Sequence, residues 1–583
     1  MAQVEQTGEG ERLADTPTGA SGDPGGAISE PTELQRPRPL NRGGRKWWSL
    51  AGAIVCMEAC VVSAGLFLPH QSLWYDEATQ LYGVGLDPVE VTRWLAGWSH
   101  HNFGIPSDRM PPVSYWAQQA WAKVFGLSEL AMRSFSLVCV AASILVVHSA
   151  ARRAWGGLAG FTAGILFALS PNVVTSAIEI RSYPLFLLES AVMFWFLMRL
   201  LEDSRDELSD APFLVGMVLT GILAIFTHFF GLLLSGGVFL ALLVLNRDQP
   251  ARLWRVLAAI VTLGIAALGL LPFIQASIAM GKNAGSGLPA PSEGRYVMIV
   301  RLVYRLVSHP SMSAGPILVG MVLGGAVLAV LAALAPKRSS GRVTFGLLIA
   351  LVSGFLVAAA AQLAQSGFQA ALPSYNIWML PALFLVMASG LAARSGLARG
   401  CAIVGIALIT VGELFGVSRL ATAGDYFAHT SYGPIARLIE HLGPEKVAVL
   451  YDEPDRVAWH IYSPMWYTYG RRVPQYSLES SSDPGKLRVV NYPNKESEQD
   501  PRELDVDYLI VVKAKQEWAA DLWTQLKQGP AALGDGPLTR ALLASRRWQR
   551  MGEKTFPSYV ACDVDLFVNS GRKATLPDDP WAG

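Results

Sequence analysis

The stretch that decides the reading of this chain is Leu73-Trp74-Tyr75-Asp76-Glu77-Ala78, two adjacent carboxylates set just beyond the first long apolar run. Ionisable groups at a membrane boundary are costly and are kept where they have work to do. Outward from this point the pattern is uniform. Apolar runs fall near 47–68, 130–150, 157–177, 184–201, 212–228, 230–245, 254–275, 314–335, 343–361, 376–393 and 400–418, about eleven spans by the hydropathy criterion. The composition agrees: 51% of the 583 residues are hydrophobic and 16% charged, where a soluble chain carries charge on about a quarter of its residues. The fold class expected is a polytopic α-helical membrane protein.

Lys and Arg orient it. Arg42, Arg45 and Lys46 precede the first run, and Arg152 and Arg153 follow the second. Arg247, Arg252 and Arg255 follow the sixth, Lys337, Arg338 and Arg342 the eighth, and Arg394 and Arg399 the tenth. All lie on one side if the N-terminus is cytoplasmic. Loops 69–129, 178–183, 276–313 and 362–375, the turn at Thr227-His228-Phe229 and everything after about Arg419 then face outward. Residues 1–46, rich in Gly, Pro, Thr, Glu and Arg, read as a disordered cytoplasmic tail before an uncleaved anchor. Residues 47–419 form the membrane domain. The expected location is the inner or plasma membrane, with the carboxylates extracytoplasmic.

The first outer loop, 69–129, is expected to hold helices lying on the membrane. Asp87-Pro88 suits a helix start, and Val91, Trp94, Leu95 and Trp98 recur at helical spacing; Val113, Trp116, Ala120 and Val124 repeat it. Ordinary packing of a long loop explains the same pattern. Residues 420–583 read as a soluble α/β domain, with a helix over Tyr432–Leu442 stopped by Gly443-Pro444 and strands over Lys446–Tyr451, Asp507–Lys513 and Tyr559–Val568. A further helix is expected near Glu517–Lys527, and Asp452 and Glu453 read as a solvated loop. The five cysteines have neither a pairing framework nor metal-like spacing. A formal net charge of +1 gives no field for nucleic acid.

Five short elements occur in order: Asp76-Glu77; Pro111-Pro112-Val113-Ser114-Tyr115; Gly126-Leu127-Ser128-Glu129-Leu130-Ala131-Met132-Arg133; Arg181-Ser182-Tyr183; and Thr227-His228-Phe229. This order resembles the membrane glycosyltransferases with a GT-C fold, especially the protein O-mannosyltransferase-like family 39 and the bacterial aminoarabinose transferase. The likeness covers roughly residues 47–275, and beyond them only the architecture. It implies an enzyme that takes a sugar from a polyprenyl-phosphate donor, with inversion, and passes it to an extracytoplasmic acceptor: an envelope glycolipid, a glycan or a protein. It also implies roles. Asp76 would be the base; the plainer alternative is that it anchors the loop by pairing with an Arg. Glu77 would orient Asp76, hold a cation or face solvent. Arg181 suits bidentate phosphate binding or a local pair with Glu179. Arg109, beside Asp108, is a second phosphate candidate. Arg133 is a substrate contact or a snorkelling residue. Tyr115, Tyr183 and His228 complete the substrate-binding set. Many relatives place Arg-Tyr before a late span. This chain has Ser374-Tyr375-Asn376, leaving Lys282, Arg295, Arg301 or Arg305 to replace the missing cation. A divalent ion is possible, with Asp76, Glu77, Asp108 and His228 as hard ligands in no fixed spacing. Two other readings compete. One is a ligase handling a whole lipid-linked glycan. The other is a transporter or flippase, which would show mid-span charges and internal symmetry.

Overall fold

A computed structural model describes residues 42–99, 107, 110–202, 207–283, 299, 302, 304, 306, 316–335, 341–364, 374–423, 432–452, 458–479, 488–491, 498–515, 534–556 and 561–572. Two compact units divide the chain, 1–48 and 49–583. Of the first, only the opening turns of a helix over Arg42–Phe67 (α1) are described. The rest of that helix and all that follows belong to the second.

The membrane domain is a bundle. After α1 come the outer-loop helices α2 (Tyr75–Val84), α3 (Pro88–Leu95) and α4 (Val113–Phe125), then α5 (Glu129–Trp155), α6 (Gly157–Leu169), α7 (Pro171–Ser176), α8 (Tyr183–Leu200), α9 (Glu207–Thr227), α10 (Gly231–Leu245), α11 (Pro250–Leu268) and α12 (Leu271–Asn283). Helices α13 (Pro316–Leu334), α14 (Gly341–Ala364), α15 (Met379–Ser389) and α16 (Gly396–Thr422) complete it. Every apolar run read from the sequence falls on a helix. Eight helices are long and apolar enough to cross a membrane, and Gly157–Leu169, Gly231–Leu245 and Met379–Ala392 are shorter apolar helices. With no hydrophobic drive between helices in lipid, close backbone approach takes over. A Cβ on Gly405 of α16 would stand 2.5 Å from the Gly325 carbonyl oxygen of α13, so glycine is required where these helices cross.

The two amphipathic stripes of the first outer loop part company. Asp87 caps α3, its carboxylate accepting from the Val89 N–H at 2.9 Å. Val91, Trp94 and Leu95 turn inward to a buried cluster, and Trp98 lies exposed. On α4 it is the polar Ser114, Gln118 and Gln119 that turn inward with Tyr115, while Trp116 and Val124 face out.

The C-terminal part holds α17 (Tyr432–Leu442), α18 (Ala458–Tyr469), α19 (Pro537–Leu543) and a seven-stranded sheet in the order β4-β3-β2-β1-β5-β7-β6. Its strands are β1 (Val447–Tyr451), β2 (Gln475–Glu479), β3 (Arg488–Asn491), β4 (Glu498–Gln499), β5 (Tyr508–Lys515), β6 (Trp548–Phe556) and β7 (Ala561–Asn569). Strand β1 runs parallel to both β2 and β5, and the remaining pairs are antiparallel. Alternate residues of β1 serve two cores, as the period-2 geometry of a strand demands. Ala448 and Leu450 pack with Leu538, Leu542 and Trp548. Val447, Val449 and Tyr451 join Ile435, Ile439 and Ile461 in the cluster that also holds Leu81, Trp94 and Leu95 of the outer loop. The sheet domain and the outer loop therefore share one apolar core. The helix expected near Glu517–Lys527 and Glu453 lie outside the described residues.

Candidate functional site

Helix α2 puts two acids in its first turn, where the unsatisfied N–H groups and the helix dipole favour negative charge. Being one residue apart, the two side chains leave the helix about 100° apart, and their surroundings differ completely. Glu77 has no exposed surface. Both its oxygens are gripped by Arg133 of α5, at 3.0 and 3.1 Å, and its Oε1 also accepts from the Ile180 N–H at 2.8 Å. Burial pushes the Glu77 carboxyl up, while the guanidinium and the Ile180 amide pull it back. Arg133 is itself buried, reaches Glu129 at 2.7 Å and donates to the Ile178 carbonyl. Ser136 donates to the Glu179 carbonyl at 2.6 Å, and Gln118, held by Gln80 at 2.9 Å, donates to the Arg181 carbonyl at 3.3 Å. The loop 178–183 is thus pinned from several directions, as a buried backbone with no ladder of its own must be.

What this scaffold presents is Arg181 and Asp76. The Arg181 side chain is 3% exposed and its guanidinium reaches Asp76 twice, to the carboxylate at 3.4 Å and to the carbonyl oxygen at 3.2 Å. Asp76 keeps 30% of its side chain open, so it is the member of the pair that solvent or a substrate reaches. Glu179 lies beside them, and burial together with the nearby Glu77 charge pushes its carboxyl up to about 8, against the pull of Arg181.

Behind Arg181 is an aromatic basket. The guanidinium sits over the Tyr183 ring at 5.7 Å. His228 stacks on Phe186 at 5.0 Å between ring centres and lies 5.6 Å from Tyr183, 5.7 Å from Tyr375 and 5.5 Å from Phe230. Its Nδ1 accepts from the Phe230 N–H at 3.1 Å. The imidazole is therefore neutral there and carries its proton on Nε2. That Nε2 is buried and has no hydrogen-bond partner among the described residues. Thr227, just before it, donates to Glu189 at 2.8 Å.

Of the residues singled out in the sequence, Asp76, Arg181, Tyr183 and His228 come together where α8 and α10 begin and α9 ends. Glu77 and Arg133 lie one layer below, committed to each other. Tyr115 is fully buried within the outer loop, its ring edge-on to Trp94 at 6.4 Å. Arg109, Asp108, Arg295, Arg301 and Arg305 lie outside the described residues, as does the side chain of Lys282. Among the described residues no three His, Cys, Asp or Glu side chains are grouped to hold a metal ion. Sequence reasoning did not single out Gln118, Ser136 or Glu189. Each acts through a partner at least 38 residues away in sequence, beyond the reach of any local pattern. Tyr375, noted only as part of a departure from the expected motif, turns out to close the basket.

Known proteins share the fold. Residues 109–275 match the family described as dolichyl-phosphate-mannose-protein mannosyltransferase. The crystal structure of ArnT from Cupriavidus metallidurans in the apo state shares the fold, with a TM-score of 0.53 at 14% identity over 90% of this chain and 98% of that one. The same protein bound to undecaprenyl phosphate gives 0.50 at 15% identity, over 89% and 98% of the two chains. No curated protein matches the sequence. The likeness read from the motifs holds at the level of the fold.

Proposed function

From a chain with the GT-C membrane fold, whose segment 109–275 carries the mannosyltransferase family pattern, we propose a glycosyltransferase. It uses a polyprenyl-phosphate sugar as donor and an acceptor on the outer side of the membrane. The observation that carries this reading is the pairing of an accessible carboxylate with a buried guanidinium, Asp76 with Arg181 at 3.4 Å, beside an aromatic basket whose His228 Nε2 lacks a partner among the described residues.

The chemistry follows from those groups. An acceptor hydroxyl is a poor nucleophile until its proton is removed, and Asp76 is the accessible base. The donor's anomeric bond breaks as its phosphate takes the charge. Arg181, desolvated and planar, is suited to meet that charge. It is already drawn towards an anion, since it pairs with Asp76. Tyr375, half-buried, offers a face for a sugar ring, Tyr183 backs Arg181, and His228 Nε2–H is suited to hydrogen-bond one of the sugar's oxygens. Attack from the face opposite the phosphate inverts the anomeric carbon. Glu77 and Arg133 are positioning residues that hold the Ile178–Tyr183 segment. That ArnT has been crystallised with undecaprenyl phosphate supports a lipid-phosphate donor here.

Purified protein should transfer sugar from a short-chain polyprenyl-phosphate sugar to envelope glycolipid or peptide acceptors with nucleotides absent. Transfer from a nucleotide sugar in a lipid-free assay, with the polyprenyl donor inert, would overturn the proposal.

A further inference from the structure

Helix α8 is long and apolar enough to cross a membrane, yet within two turns of its start it carries Glu189, buried inside the bundle. An acid in a span is costly and marks a function by default. The chemistry at Asp76 and Arg181 gives it none. Its Oε1 accepts from the Thr227 hydroxyl at 2.8 Å. Thr227 is the last residue of α9, and His228 follows it.

The three residues between α9 and α10 are closed by bonds of their own. The His228 N–H donates to the Ala224 carbonyl at 3.0 Å and the Gly231 N–H to the His228 carbonyl at 2.8 Å. The Phe230 N–H reaches His228 Nδ1 at 3.1 Å. A Cβ on Gly231 would stand 2.4 Å from the Ala224 carbonyl oxygen, so α10 can turn back this closely only from a glycine. These contacts fix the shape of the turn, but not its place against α8. Two others do that: the stacking of His228 on Phe186 and the bond from Thr227 to Glu189. Phe186 and Glu189, three residues apart, are neighbours on one face of α8. Stacking tolerates lateral offset. The hydrogen bond is therefore what sets the depth at which the imidazole stands.

We propose that Glu189 is the positioning residue for His228: it holds Thr227, and through it sets where His228 Nε2 meets the sugar of the donor. This rests on the glycosyl-transfer reading and divides the donor between two holds. Arg181 meets the phosphate, and the line from Glu189 through Thr227 to His228 meets the sugar. After transfer the spent lipid phosphate keeps the first hold and loses the second, so it should bind more weakly than the donor.

The test compares two kinds of ligand by isothermal titration of the full chain in detergent: a panel of short-chain polyprenyl-phosphate sugars, mannose among them, and the polyprenyl phosphate without sugar. E189L cannot accept from Thr227. It should weaken the preferred sugar-bearing ligand about 2- to 12-fold, the worth of one neutral hydrogen bond, and leave the bare phosphate unchanged. T227V, which exchanges the hydroxyl for a methyl, should do the same and reads the same bond should E189L not fold. E189Q, whose amide oxygen still accepts, should restore wild-type binding. On an H228A background E189L should cost nothing further. Spectra of protein labelled with ¹⁵N-histidine read the tie without any ligand. The His228 signal, assigned by its loss in H228A, should shift in E189L and T227V and return in E189Q. An unmoved His228 signal, equal weakening of both ligands, a loss in E189Q as large as in E189L, or a further loss on the H228A background would each overturn the proposal. A His228 signal that responds as stated, in protein that binds none of the polyprenyl ligands, would overturn the glycosyl-transfer reading and not the tie.

Discussion

Two regions only one residue apart in sequence have been given opposite environments. Around Glu77 everything is closed: the carboxylate is without exposed surface and every oxygen is held by a guanidinium or an amide. Around Asp76 the structure is open on one side and electropositive on the other, with Arg181 below and about a third of the side chain uncovered. A carboxylate pair at the head of a helix is thus a division of labour. One acid fixes the loop that carries the arginine, and the other meets whatever arrives.

The division can be broken most severely at Glu77. Removing one partner of a buried ion pair typically costs about 3–5 kcal/mol, since the other charge is left uncompensated. Glu77→Gln should therefore lower the unfolding temperature in detergent sharply and release the 178–183 loop. A Glu77→Gln protein as stable as wild type would erase the distinction between the two acids.

A smaller effect is expected at Glu179. Its folded-state carboxyl is raised from 4.5 to about 8, so the folded protein binds its proton more tightly than the unfolded chain. That contribution to stability is fully present below about pH 4.5 and is lost as pH rises towards 8. The loss is on the order of a few kcal/mol, because each tenfold difference in proton affinity between the folded and unfolded states is worth about 1.4 kcal/mol. Glu179→Gln, which cannot ionise, should flatten the decline in thermal stability between about pH 5 and pH 9. An unchanged pH profile would mean that Glu179 does not titrate in this window.

Arg181→Ala should have the mildest effect of the three on the free energies involved. Hydrogen bonds to charged groups are worth about 1.5–3 kcal/mol. The variant should weaken binding of a polyprenyl phosphate by roughly 10- to 150-fold on that scale, and slow turnover as well. Normal affinity for the lipid phosphate, measured by isothermal titration, would remove Arg181 from the donor site.

Much of this architecture was legible in the sequence because it rests on periodicity. A span needs an unbroken apolar run, and the runs are helical, although 157–177 is divided between α6 and α7 and 254–275 between α11 and α12. Helix α17 begins and ends where the sequence places it, at Tyr432 and Leu442, since its apolar stripe and the following Gly-Pro leave no choice. The central strands β1, β5 and β7 were visible as apolar runs. Strand β6 was not: Trp548–Phe556 is buried only at its two ends and carries Arg550, Glu553 and Lys554 between them, so it reads as a loop. Strands β2, β3 and β4 are short and flank the sheet, and they too escaped. In the site, the residue types were readable and the partnerships were not. Nothing in the spacing says that Arg133, 56 residues beyond, belongs to Glu77 and not to a substrate, or that Tyr375 closes over His228.

The most direct test is the turnover of Asp76→Asn with a polyprenyl-phosphate sugar, measured on protein whose fold and donor affinity are verified in the same preparation. The substitution keeps shape and hydrogen bonding but cannot take a proton. General-base catalysis is worth about 10²–10⁴-fold, so turnover should fall by that factor. Donor binding should hardly change, because the lost interaction belongs to the transition state. A folded Asp76→Asn protein that binds donor and turns over near the wild-type rate would contradict the account.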